Sequence, residues 1–121
     1  MAVILIVEDD AFIRQIAEMM IQDWGHSVLS ASDPEEALLL LESSRPIDGL
    51  FTDIYLKTAM LGGCDLAHRA VEIRPKLRVL YTTGNAVTDK MKTLFIEGSG
   101  FLCKPYTELQ LHRSIDFMLA A

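Results

Sequence analysis

Cysteine is scarce in these 121 residues, long apolar runs are missing, and the basic residues are scattered along the chain. Cys64 and Cys103 are the only cysteines, and no metal-ligand or redox spacing links them, so neither a disulfide framework nor a cysteine metal site is indicated. A reduced cytoplasm is the expected setting. No apolar run is long enough to cross a bilayer, so no membrane association is expected. The opening Met1-Ala2-Val3-Ile4-Leu5-Ile6-Val7 has no basic flank and runs into Glu8, Asp9 and Asp10, unlike a secretory leader. Eleven basic residues against seventeen acids give a net charge of −6. That balance opposes phosphate-backbone attraction, and direct nucleic-acid binding is not expected.

What is present is an ordinary globular composition in one domain's length, with no repeat, low-complexity tract or linker. Short apolar runs at Val3–Val7, Val28–Ala31, Leu50–Phe51, Val79–Tyr81 and Phe101–Cys103 alternate with segments of helical spacing. The segments predict helices over Asp10–Trp24, from Pro34 to before Arg45-Pro46, and over Gly63–Ile73, Ala86–Glu97 and Tyr106–Leu119. Ile13, Ile16, Ala17 and Met20 should form the inward face of the first, with Gly25 its stop. Strict strand–helix alternation requires crossover connections and therefore a parallel sheet with helices on both faces. The expected fold is α/β, a flavodoxin-like (βα)5 three-layer sandwich with strand order 2-1-3-4-5, one domain over residues 1–121 with no output domain.

In such sheets the binding crevice lies at the carboxyl ends of the strands. Those ends carry Glu8 and Asp9 after strand one, Asp53 after strand three, Thr83 after strand four and Lys104 after strand five. Converging carboxylates repel, at about 4 kcal/mol for two charges ~4 Å apart at an effective dielectric near 20. A hard divalent cation relieves this, and Mg²⁺ favours one or two carboxylates together with waters and phosphate. A carboxylate can also serve as a nucleophile in phosphoryl transfer, a reaction that asks mainly for positioning and charge stabilisation. On this reading Asp53 attacks phosphorus, Asp9 and Asp53 hold Mg²⁺, Glu8 supports it through water, and Thr83 and Lys104 bind the phosphoryl oxygens. Taken singly, Glu8-Asp9-Asp10 could equally cap the first helix. Asp53 alone could be a solvated loop acid, and Phe101 or Cys103 simple buried residues.

Five such elements in order at successive strand ends resemble the receiver domain of response regulators, over practically the whole chain. Glu8 and Asp9 match the acidic pair, with Arg14 five residues beyond Asp9. Asp53 in Phe51-Thr52-Asp53-Ile54 matches the phosphorylated aspartate, and Thr83 in Tyr81-Thr82-Thr83-Gly84 matches the switch hydroxyl. Lys104-Pro105 matches the family's lysine and proline. The resemblance further implies a backbone-carbonyl metal ligand at Tyr55, a switch aromatic at Phe101 and a cis Lys104–Pro105 bond. It implies a sensor histidine kinase or histidine phosphotransfer protein as phosphoryl donor, and readout or homodimerisation through the face of helix four, strand five and helix five. Val87, Met91, Phe101 and Tyr106 are candidates there. No turnover of external substrates is implied.

The chain departs from the family after Asp53, where Leu56-Lys57-Thr58-Ala59-Met60-Leu61 lacks the usual proline and reaches Gly63 two residues late. Tyr55 and Asn85 occupy positions that the resemblance links to dephosphorylation rate, and a ring at Tyr55 should shield the phosphoryl group. Three rivals differ in what they need. A phosphorylation-independent docking module would tolerate Asp53→Asn. A flavin carrier would need Ser, Thr and Gly donors where Glu8-Asp9-Asp10 stand. An aspartyl phosphatase would need a second acid at Tyr55. His26, His68 and His112 lack ligand companions and read as surface or packing residues.

Overall fold

A computed structural model describes residues 1–56 and 62–120. Its elements run β1 (Val3–Val7), α1 (Ala11–Asp23), β2 (Ser27–Ala31), α2 (Pro34–Glu42), β3 (Gly49–Asp53), α3 (Gly62–Ile73), β4 (Arg78–Thr83), α4 (Asp89–Lys92), β5 (Gly100–Cys103) and α5 (Glu108–Ala120). All four strand pairings are parallel, in the order β2-β1-β3-β4-β5. The expected flavodoxin-like (βα)5 sandwich is therefore present. The centre of the extended loop, residues 57–61, lies outside the described residues.

The pleat sorts β1 and β3 into two cores. Leu5, Val7 and Leu50 join Ala37, Leu41, Leu66, Ala67 and Ala70 on the α2–α3 face. Ile4, Ile6 and Phe51 join Ala17, Ile21, Leu111, Ile115 and Met118 on the α1–α5 face. Both faces of the central strands are buried, which is why they read as continuous apolar runs rather than alternating ones.

Local side-chain chemistry sets the helix starts. The Asp10 carboxylate accepts from the Phe12 and Ile13 amides at 2.9 and 3.1 Å, capping α1. Asp33 caps α2 through the Glu36 amide while Glu36 reaches back to the Ser32 amide, a variant of the reciprocal capping box. Thr107 and Gln110 cap α5 reciprocally at 3.1 and 2.8 Å, so that helix begins beyond Tyr106. Gly25, at φ 97°, ends α1 as expected.

Three expectations are corrected. Helix four covers Asp89–Lys92 instead of Ala86–Glu97. Thr88 caps it late by accepting from the Met91 amide, and the Thr93 hydroxyl donates to the Lys90 carbonyl at 2.6 Å. The next amides bond three residues back, tightening the chain out of α geometry. Phe101 and Cys103 are exposed rather than core, because β5 is an edge strand and both lie on the side its short neighbouring helix leaves open. The inward face of α1 is Ala17 and Ile21. Met20 packs half-buried against the α1–α5 core as expected, while Ile13 and Ile16 instead line, with Met20, an apolar groove that also takes in Phe12, Pro105 and Tyr106.

Candidate phosphoacceptor site

β1 and β3 are adjacent, with Val7 opposite Thr52, so their carboxyl ends deliver Glu8, Asp9 and Asp53 to one spot. Each offers a carboxylate oxygen, and these atoms lie within 4.8 Å of one another. Glu8 and Asp53 are 5% and 7% exposed, a desolvation that ionised groups tolerate only with close partners. Lys104, arriving from β5, places its Nζ 2.6 Å from Glu8 Oε1 and 3.0 Å from Asp53 Oδ2. The Lys104–Pro105 bond is cis, as the resemblance implied.

The acidic run at residues 8–10 divides between the two readings open to it. Asp10 is the helix cap, while Glu8 and Asp9 belong to the cluster. Glu8 is oriented by the Asp10 amide on Oε2 at 3.1 Å, and Arg14 donates to the Glu8 carbonyl at 2.8 Å. Burial pushes the Glu8 carboxyl above the usual range, against the opposing pull of the Lys104 ammonium. Burial also works against the Lys104 ammonium, but its bonds to Glu8 and Asp53 outweigh that and hold its pKa above the ordinary lysine value.

Gly63, which the sequence pattern marked only as a helix start, packs against the backbone of the site. Its amide donates to the Ile54 carbonyl at 3.0 Å. A Cβ there would fall 1.9 Å from the Asp53 carbonyl oxygen and 2.8 Å from its carbon. The chain leaving β3 thus returns directly onto the Asp53 backbone, and only glycine permits the approach.

The other predicted residues lie on the β4–β5 side. Thr83 is fully buried, and its hydroxyl oxygen accepts from the Asn85 amide at 3.0 Å. Tyr55 is half-buried beside α4, with its hydroxyl 3.6 Å from the Met91 sulfur. Phe101 is 40% exposed, 6.2 Å from the Phe95 ring, with Lys92 Nζ 5.7 Å from its own centroid. Sequence reasoning missed Tyr81, which is fully buried and stacked on Phe95 at 4.3 Å. Its hydroxyl accepts from the Ile96 amide at 3.1 Å, and burial pushes its pKa up to about 12. His68 Nε2 donates to the Leu94 carbonyl at 2.7 Å. His112, buried, stacks on Trp24 and donates to the Met20 carbonyl, a packing role.

A profile of the response regulator receiver domain matches residues 4–116, and the chain belongs to that family. A receiver protein from Sinorhizobium medicae WSM419 superposes with a TM-score of 0.89 at 30% identity, covering 99% of this chain and 95% of that one. The Vibrio cholerae chemotaxis protein CheY4 superposes at 0.85 with 25% identity, covering 98% and 99%. The uncharacterized transcriptional regulatory protein YrkP of Bacillus subtilis is 30% identical over 93% of this chain, which spans only 47% of YrkP. The chain thus spans about half the length of such relatives. Family and acidic cluster together support a general phosphoacceptor function, with carboxylates that could coordinate a divalent metal. Among the described residues no helix is long and apolar enough to cross a membrane.

Proposed function

We propose that the chain accepts a phosphoryl group on Asp53 from a histidine kinase or histidine phosphotransfer protein, with Mg²⁺ as cofactor. The observation that carries this is the buried Asp53 carboxylate, clustered with Glu8 and Asp9 and bonded to Lys104 at the carboxyl edge of the sheet. An Asp53 oxygen forms the new bond to phosphorus as the donor's P–N bond breaks. The departing imidazole keeps the electron pair and takes a proton. Lys104 meets the charge on the phosphoryl oxygens, and Thr83, one β4 residue beyond the partner of Asp53, supplies a hydroxyl to them.

Mg²⁺ fits the residues present, since three hard oxygen donors converge within 4.8 Å of one another. Glu8, Asp9, Asp53 and the Tyr55 carbonyl would hold it, and it would neutralise charge gathering on the transferred group. The apolar groove of about 430 Å³ lined by Phe12, Ile13, Ile16, Met20, Pro105 and Tyr106 adjoins Lys104. A helix presenting the donor histidine can seat its apolar side there while the imidazole faces Asp53.

Phosphorylation acts on the chain's own aspartate, with no external substrate turned over. Readout takes place at the α4–β5–α5 face, which would bind a partner or a second copy. Phe101 is exposed there and Phe117 stands 77% exposed beside it. Of the other candidates Met91 is buried, and Val87 and Tyr106 are half-buried.

Intact-protein mass after incubation with a small phosphoryl donor tests the proposal. One phosphoryl group should be gained with Mg²⁺, and none without it or in Asp53→Asn. Folded wild type that gains nothing beside a working control would leave a phosphorylation-independent docking module.

A further inference from the structure

We propose that the pole of the sheet opposite Asp53 is a docking surface for an acidic segment of a partner protein. There the chain enters β4 through Arg74-Pro75-Lys76-Leu77-Arg78, three cations without an intervening acid in a protein of net charge −6. Arg74 is committed to the fold, donating to the Leu41 and Ser43 carbonyls at 3.0 and 2.8 Å. Lys76 and Arg78 are exposed and form no ion pair among the described residues.

These two cations form a ridge between two cavities. One, of about 400 Å³, is lined on its other sides by Ala2, His26, Asp48 and Leu119. The second, of about 610 Å³, is walled by Val71, Pro75, Leu77 and Ile96, with Glu97 its one acid. Asp48 in the first is engaged by the Val3 amide at 2.8 Å. His26 Nδ1 accepts from the Ala2 amide at 3.0 Å, which puts the ring proton on Nε2, and that N–H is buried without an acceptor among the described residues.

Both cations line both cavities. An extended segment with acidic side chains on Lys76 and Arg78 and apolar ones in the cavities uses the whole ridge. The surface lies at the opposite sheet edge from the phosphoacceptor, so binding is independent of phosphorylation and would tether the domain constitutively.

The test is an amide-resolved NMR titration of the full chain with a blocked octapeptide of alternating Glu and Leu, its Gln counterpart, and citrate. The Glu peptide should shift the amides of Ala2, His26 and residues 76–78 and saturate. Its affinity should fall about tenfold with Lys76→Glu plus Arg78→Glu, fall with added salt, and stay unchanged in Asp53→Asn. Equal binding of the Gln peptide, shifts centred on Lys92 or Lys104, no binding, or indifference to the double reversal would overturn it. Citrate binding as tightly as the peptide would also overturn it, in favour of a small-anion site. Both positions are exposed; if the reversal lowers the melting temperature, Lys76→Gln plus Arg78→Gln carries the same test.

Discussion

Around Asp53 the charged groups are tied directly to one another, whereas around Phe101 the backbone is held by side chains reaching across from neighbouring elements. Glu8 and Asp53 are buried and joined to the half-buried Lys104 at 2.6 and 3.0 Å, and Gly63 closes onto the Asp53 carbonyl. The segment containing α4 has a four-residue helix positioned by Tyr55, His68 and Tyr81. Hydrogen bonds of this kind are each worth roughly 1 kcal/mol net. A few kcal/mol of differential binding suffices to shift a two-state equilibrium clearly. On the proposed function Asp53 is therefore fixed where chemistry would need it fixed, and the surface that would report on it is held at an energy phosphate capture can match.

The sharpest way to break the rigid half is Gly63→Ala. A Cβ 1.9 Å from a backbone oxygen cannot be relieved by turning a side chain, so the loss of stability should be about 3 kcal/mol or more. Urea unfolding measures it, and a loss below that of ordinary surface substitutions would mean the return onto Asp53 is not tight. Lys104→Ala should cost less, about 1–3 kcal/mol once its partial exposure is allowed for, because Glu8 and Asp53 then face each other without the ammonium. Millimolar Mg²⁺ should recover much of that loss, and the same unfolding experiment with and without the ion checks it.

How much of this was legible in the sequence follows the same division. Glu8, Asp9, Asp53, Thr83 and Lys104 could be placed because each follows an apolar run, and run ends fix a parallel sheet's edge. The α4 region could not be read that way. Residues 86–97 carry helical spacing, yet Thr88 and Thr93 turn their hydroxyls to the backbone and confine the helix to one turn. Phe101 and Cys103 read as core because an edge strand has the same composition as a central one. The Tyr81–Ile96 bond joins residues fifteen apart, which no periodicity reveals. The resemblance, through Arg14, set Asp10 apart from Glu8 and Asp9, and the cap it makes is the physical reason.

Tyr81 sharpens the comparison from the adjustable side. Tyr81→Phe leaves the Ile96 amide without its acceptor and should destabilise by about 1–2 kcal/mol at neutral pH. It should also change the alkaline limb. A group whose folded pKa is raised from 10.0 to about 12 contributes stability that is fully present below pH 10 and lost as pH rises towards 12. Two units correspond to about 3 kcal/mol. The wild-type advantage over Tyr81→Phe should therefore shrink between those limits. An advantage that stayed constant to pH 12 would mean that Tyr81 titrates as an ordinary tyrosine.

The smallest effect is expected where the two halves meet, at Tyr55, which follows Asp53 by two residues and leans on Met91 of α4. A sulfur acceptor at 3.6 Å is weak, so Tyr55→Phe should change stability by less than about 0.5 kcal/mol. If the ring's bulk shields the aspartyl phosphate, Phe should also leave its lifetime nearly unchanged. Tyr55→Asn removes both ring and contact, and should shorten the lifetime about threefold, roughly 0.7 kcal/mol in the hydrolysis barrier. Decay of the phosphorylated mass peak separates the cases. A shortened lifetime in Phe as well as Asn would assign the protection to the Met91 contact, making α4 part of the rigid half after all. No change in either would leave Tyr55 as packing.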